Sequence, residues 1–150
     1  MNLQLAFQAP GTNPVSRMIA GFDAPQRFSH VAMIFGDRLR FDAHIDYGVR
    51  FHDDIPDGDR WTFVTPSLLP GEIETVRQFC EIQSGSGYDT CGVLAIGRVP
   101  FAKEDPDRWF CSELACAALQ QVELFEGITP HLMSPNGLFL ACAGMTKGDS

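Results

Sequence analysis

The sequence predicts one α+β domain in which an antiparallel sheet packs against a helix. Three observations predict it. Residues 28–46 read as two β-strands joined by a Gly-Asp turn. Residues 111–125 place small and apolar side chains at helical spacing. Residues 70–83 form a second helical pattern, stopped by Ser84-Gly85-Ser86-Gly87. The 150 residues suffice for a single domain, 1–150, with a real core. Composition is that of an ordinary globular protein, with 45% hydrophobic and 20% charged residues. A formal charge of −8 argues against nucleic acid or an anionic membrane as the main partner.

Taken in order, Leu3, Leu5, Phe7 and Ala9 alternate with Gln4, Ala6 and Gln8, which predicts a first strand. Pro10 to Pro14 ends it, a short helix is expected over 15–20, and 21–27 reads as loop. Residues 28–35 are apolar on both faces, so this strand is expected at the centre of the sheet. Leu39 to Asp46 then alternates: Leu39, Phe41, Ala43 and Ile45 on one face, Arg40, Asp42, His44 and Asp46 on the other. Residues 48–52 continue the sheet, 53–59 form an acidic loop, and 61–65 are a further strand. The helix from Pro70 carries Ile73, Val76, Phe79 and Cys80 on one face. An apolar segment, 91–96, and a polar loop, 103–108, lead to the Cys111 helix. Ser134-Pro135-Asn136 caps a last short helix through Cys142, ended by Gly144, before a disordered tail.

Cys111 heads its helix. Ala115, Ala118, Val122 and Phe125 follow it on one helical face, whose small residues allow close approach to a sheet. A thiol at this end meets the backbone N–H groups and the positive end of the helix dipole, which favour the thiolate. A cysteine nucleophile also needs a base, and the base needs an orienting group. His30, in the strongest strand, is the candidate base. A buried histidine alone is more often a satisfied core residue, so the hairpin register matters. A three-residue loop, Gly36-Asp37-Arg38, puts His30, Asp42 and His44 on one face; a two-residue loop puts His30 with Phe41 and Ala43.

The ordered set of motifs resembles the circularly permuted papain-like cysteine hydrolases. These comprise the YiiX-like bacterial proteins and the lecithin retinol acyltransferase-like enzymes, permuted relatives of the NlpC-type cell-wall peptidases. Ser29 to Asp37 resembles the family's histidine strand and turn, and Asp42-Ala43 stands where the family carries Glu or His. Gly48-Val49, Tyr88-Asp89, Phe110-Cys111-Ser112-Glu113-Leu114 and Ser134-Pro135-Asn136-Gly137-Leu138 resemble its later elements. Asp42 is the departure: Asp is shorter than Glu, and His44 is the alternative third residue.

The resemblance implies a permuted papain-like (NlpC-like) fold, an antiparallel sheet or partial barrel packed against the nucleophile helix. It implies a cysteine peptidase or amidase, a thiol hydrolase of amide or ester bonds with Cys111 as nucleophile, His30 as base and Asp42 as orienting residue. The backbone N–H of Cys111 would serve the oxyanion, with Tyr88 as a second candidate. The favoured substrate is bacterial cell-wall peptide (peptidoglycan). Two other readings stand beside it: lipid acyl hydrolysis or transfer, and a non-catalytic binding module, for example in a phage tail.

No cofactor and no metal is expected. There is no Cys-x-x-Cys pair, Cys116 points away from Cys111, and Asp53, Asp54, Asp57 and Asp59 lack the closing Glu of a calcium loop. Cys80, Cys91 and Cys142 read as core, and the odd count of five cysteines fits a reducing compartment. His52 and His131 are expected at the surface, and Glu113 is expected to point away from the nucleophile. Without a signal peptide or transmembrane run the chain as encoded reads as cytoplasmic, with no integral membrane contact and export only by another route.

Overall fold

The computed structural model describes residues 2–11, 28–88 and 108–145. Among these residues the architecture is α+β, with five antiparallel strands in one sheet and three helices. The strands are β1 (Leu3–Gln8), β2 (His30–Phe35), β3 (Leu39–His44), β4 (Gly48–His52) and β5 (Trp61–Val64), in the spatial order β4-β3-β2-β1-β5. The helices are α1 (Pro70–Gln83), α2 (Cys111–Gln120) and α3 (Pro135–Met145). A short parallel pair, β6 (Gly87–Tyr88) and β7 (Arg108–Trp109), completes the described chain, with a single 3₁₀ turn at Pro130–Leu132.

β2 is the central strand, and all six of its residues are buried. This follows from the apolar run Val31–Phe35, which no one-sided strand would carry. One face of the sheet presents Leu3, Leu5, Phe7, Val31, Met33, Phe35, Phe41, Ala43 and Val49 to the main core, which also takes Ile73, Val76 and Cys80 from α1 and Leu114, Ala118 and Leu119 from α2. On the opposite face Ala6, Ala32 and Ile34 form a small second cluster under Ile55 and Trp61.

The hairpin register is the one that unites the polar positions. Phe35 pairs with Leu39, Ile34 with Arg40 and Met33 with Phe41, so the loop is Gly36-Asp37-Arg38. Arg38 closes it in the left-handed region at φ 64°, with its N–H on Phe35 O at 2.9 Å. The next hairpin repeats the plan: His44 pairs with Gly48 across residues 45–47, and Gly48 has φ 73°. The outer edge of β4 does not face water alone, since Val49 N donates to Ser86 O and Gly85 N to Val49 O.

Helix α1 has the bounds expected from its sequence, with Gly85 at φ 97° just past its end. Helix α2 differs in two respects. It stops at Gln120 rather than Phe125, because Glu123 and Phe125 take left-handed backbone (φ 63° and 61°) and the chain turns back on itself. It is also buried on every side from Cys111 to Leu119, not on one face. Its abundance of Ala, Cys and Leu suits a helix enclosed by the sheet, α1 and α3. Helix α3 is tied to the sheet by a ring cluster, Phe139 with Phe7 and Phe28 at centroid distances of 5.3 and 4.8 Å. The segments expected over 15–27 and 91–107, Cys91, Asp89 and the tail lie outside the described residues.

Candidate active site

His30 is the first residue of β2 and Cys111 the first of α2, so both functional groups stand at element ends. Helix α2 packs against β2 and β3, which brings Cys111 close enough to His30 for the two groups to interact electrostatically. The start of β2 is anchored from two sides. Ser29 N donates to Gln8 O at 2.9 Å, and Phe28 N donates to the buried Asn136 Oδ1 at 2.6 Å. The start of α2 is anchored by Ser112, whose hydroxyl donates to Met133 O at 2.5 Å, and by Glu113, whose carboxylate accepts Phe110 N–H at 3.1 Å. Glu113 is buried, and its carboxylate is engaged in capping its own helix.

Asp42 lies on β3, on the face of the sheet that carries His30. Its Oδ2 is 2.8 Å from His30 Nε2. With Nε2 so engaged, Nδ1 is the nitrogen left for the thiol. Burial pulls the His30 imidazole toward neutrality, but the charge of Cys111 opposes this, aided by hydrogen bonds to Asp42 and Cys111, and the pKa rises to about 9. Burial likewise disfavours the Asp42 carboxylate, yet His30, His52 and Arg40 together hold its pKa far below the ordinary carboxylate range. Asp42 is thus an anion at neutral pH, and its charge favours the protonated form of His30.

His44 stands beside this pair without replacing Asp42. Its ring meets His30 edge-on at 5.7 Å, and its Nδ1 accepts Asp46 N–H at 3.2 Å. Burial and the charge on His30 lower its pKa. Tyr88 lies in β6 with its ring 5.9 Å from that of Phe110, the residue before the thiol.

Asp42 has more partners than sequence reasoning assigned to it. Tyr47 Oη donates to Oδ1 at 2.8 Å, His52 Nε2 lies 2.9 Å from the same atom, and Arg40 binds Oδ2 through Nε at 2.8 Å and Nη2 at 2.7 Å. His52 was expected at the surface; it is instead a strand residue with a largely covered side chain. Asp42 pairs with Arg50 and Arg40 with His52, so His52 is the diagonal neighbour of Asp42 on one face. The alternation of residues 48–52 carried that signal. Tyr47 sits in the turn, where alternation says nothing.

A cleft of about 480 Å³ opens next to these groups, lined by residues 45–48, 85–88 and Arg108. Tyr47 therefore has the cleft on one side and Asp42 on the other. The other described cysteines are held as neutral thiols by burial. Burial raises the thiol pKa of Cys116 to about 11, that of Cys142 to about 12, and that of Cys80 further still. The acidic loop residues Asp53, Asp54, Asp57 and Asp59 are exposed, and Asp54 reaches Arg40 at 3.4 Å. Among the described residues no cluster of His, Cys, Asp and Glu is arranged to hold a metal ion, and no helix is long and apolar enough to cross a membrane. Compared with models of known protein families the chain matches none, and no curated protein sequence matches it.

Proposed function

We propose that this chain is a cysteine hydrolase of amide or ester bonds, built on a circularly permuted papain-like fold and acting through Cys111, His30 and Asp42. The observation that carries the reading is His30 Nε2 at 2.8 Å from a buried carboxylate, with the thiol at the start of α2 interacting electrostatically with the same imidazole. The chain order supports the permuted form, with the histidine strand first and the cysteine helix last.

The chemistry follows from the arrangement. The Cys111 sulfur attacks the substrate carbonyl carbon, its proton already held by His30. Negative charge moves to the carbonyl oxygen, which the backbone N–H of Cys111 can meet, since first-turn N–H groups have no intrahelical acceptor. The bond to the leaving amine or alcohol breaks as His30 delivers its proton to that group. Water then attacks the thioester with His30 as base, the acid is released, and the thiolate–imidazolium pair returns. Asp42 keeps Nε2 protonated and stabilises the charged ring throughout. The cleft beside Tyr47 and Tyr88 is the candidate seat for the substrate chain. Cell-wall peptide is the favoured substrate, on the likeness of the motifs to the bacterial branch of that group.

The test is hydrolysis of peptidoglycan fragments, with acyl esters in parallel, by wild type, Cys111→Ser and His30→Ala. Cleavage by wild type alone supports the reading, and the better substrate decides between peptide and lipid chemistry. Equal behaviour of all three proteins on both substrate classes overturns it.

A further inference from the structure

Arg40 approaches Asp42 in an uneconomical way. A guanidinium beside a carboxylate favours the two-pronged arrangement, one N–H to each oxygen. Here Nε and Nη2 both close on Oδ2, at 2.8 and 2.7 Å, the oxygen that also serves His30 Nε2. The other oxygen, Oδ1, is already taken by Tyr47 Oη at 2.8 Å and His52 Nε2 at 2.9 Å. The carboxylate side chain is wholly buried, so water does not compete for either atom.

We propose that Tyr47 and His52 are positioning residues that act on His30 through Asp42. They occupy Oδ1 and so deny it to Arg40. A carboxylate turns readily about its last torsion. With Oδ1 open, Arg40 would draw the group into the two-pronged geometry and swing Oδ2 out of line with His30 Nε2. Tyr47 and His52 hold the carboxylate plane in which Oδ2 faces His30. Tyr47 is itself held by ring contacts, stacked on His44 at 5.0 Å and covered by Arg50 at 4.2 Å. The charged and titratable groups around Asp42 thus come from every adjoining element: His30 from β2, Arg40 and His44 from β3, Tyr47 from the turn, Arg50 and His52 from β4. Cys111 of α2 acts on it through His30.

The inference rests on the proposed roles of Cys111, His30 and Asp42, and its test separates the two. The readouts are the rate of Cys111 alkylation against pH and the nitrogen NMR shifts of the His30 ring, with circular dichroism confirming the fold. Tyr47→Phe combined with His52→Leu should slow Cys111 alkylation about tenfold and alter the His30 Nε2 signal, the scale expected for a lost hydrogen bond to a charged group. His52→Gln, which keeps a donor, should retain most of the wild-type rate. Adding Arg40→Lys to the double variant keeps the charge but removes the fork, and should restore the His30 signal and the rate. An unchanged rate in the double variant, or a loss that Arg40→Lys leaves in place, overturns the inference. If wild-type Cys111 has no advantage over the other thiols, the proposed function fails instead. If the double variant does not fold, Tyr47→Phe alone gives the same reading on a smaller scale, and the same two outcomes decide it.

Discussion

His30 and Asp42 are joined by a 2.8 Å contact between Nε2 and Oδ2, twelve residues apart in sequence and on neighbouring strands. That contact exists because the loop between the strands has three residues. A shorter loop would turn His30 and Asp42 to opposite faces of the sheet. Four experiments bear on this pair and its surroundings.

Replacing Asp42 by Asn removes the anion while keeping its size. His30 then loses the group that fixes its tautomer, and Arg40 is left as a cation in a closed site. Asp42→Asn should lower hydrolysis or Cys111 alkylation by about 100-fold or more. It should also cost about 3 kcal/mol of stability, since one partner of a buried charge set is gone. Kinetics and urea denaturation of the same preparation measure both effects.

The four described cysteines should separate sharply in reactivity. All four are buried, but burial raises the thiol pKa of Cys80, Cys116 and Cys142, whereas Cys111 lies beside the His30 imidazole. With iodoacetamide at neutral pH, mass spectrometry should find Cys111 modified first, by at least about tenfold. In His30→Ala the order should collapse. Early modification of Cys142 or Cys116 in the wild type would contradict the arrangement.

Stability should respond to pH through His30. Its pKa rises on folding from 6.5 to about 9, so the folded state holds the proton more tightly. The stabilisation is complete below pH 6.5 and is lost as pH climbs through about 9. Thermal melts of wild type should therefore fall between pH 6.5 and 9.5, about the interval set by that shift. The slope should be flatter in His30→Gln. Equal slopes in the two proteins would show that His30 binds its proton no better when folded.

Gly48→Ala should destabilise the β3–β4 hairpin. Gly48 has φ 73°, and an added Cβ would stand 2.6 Å from Ser86 O. The left-handed backbone alone costs about 1–3 kcal/mol for a residue with a side chain. The clash would also push away the 85–86 segment, which covers the edge of β4 through Val49. A lower urea midpoint is expected, together with faster amide exchange at Val49 and Gly85.

Much of this protein could be read without its tertiary structure. The apolar run of β2 marked a central strand, the alternation of β3 named the face of Asp42, and Pro70 with Ser84-Gly85 bounded α1. The end of α2 was not legible, because it depends on Glu123 and Phe125 adopting left-handed backbone that their side chains do not advertise. The burial of α2 on every side was not legible either. Helical spacing ranks faces, whereas enclosure depends on what packs around them.

The sequence by itself determined the α+β class, the positions of most elements, and which residue types could carry chemistry: a cysteine at a helix start, a histidine in the core strand, an acid on the next. Those features follow from local periodicity and capping, which a few neighbouring residues decide. Only the tertiary structure decided that the loop at residues 36–38 would take the three-residue form, with Arg38 left-handed, and so set His30 toward Asp42. It alone joined Tyr47, His52 and Arg40 to that carboxylate. Both rest on cross-strand register and on the path of a turn, where a shift of one residue exchanges the two faces of the sheet. Local preference does not separate those alternatives; the burial of Val31, Met33, Phe35 and Phe41 against α1 and α2 does.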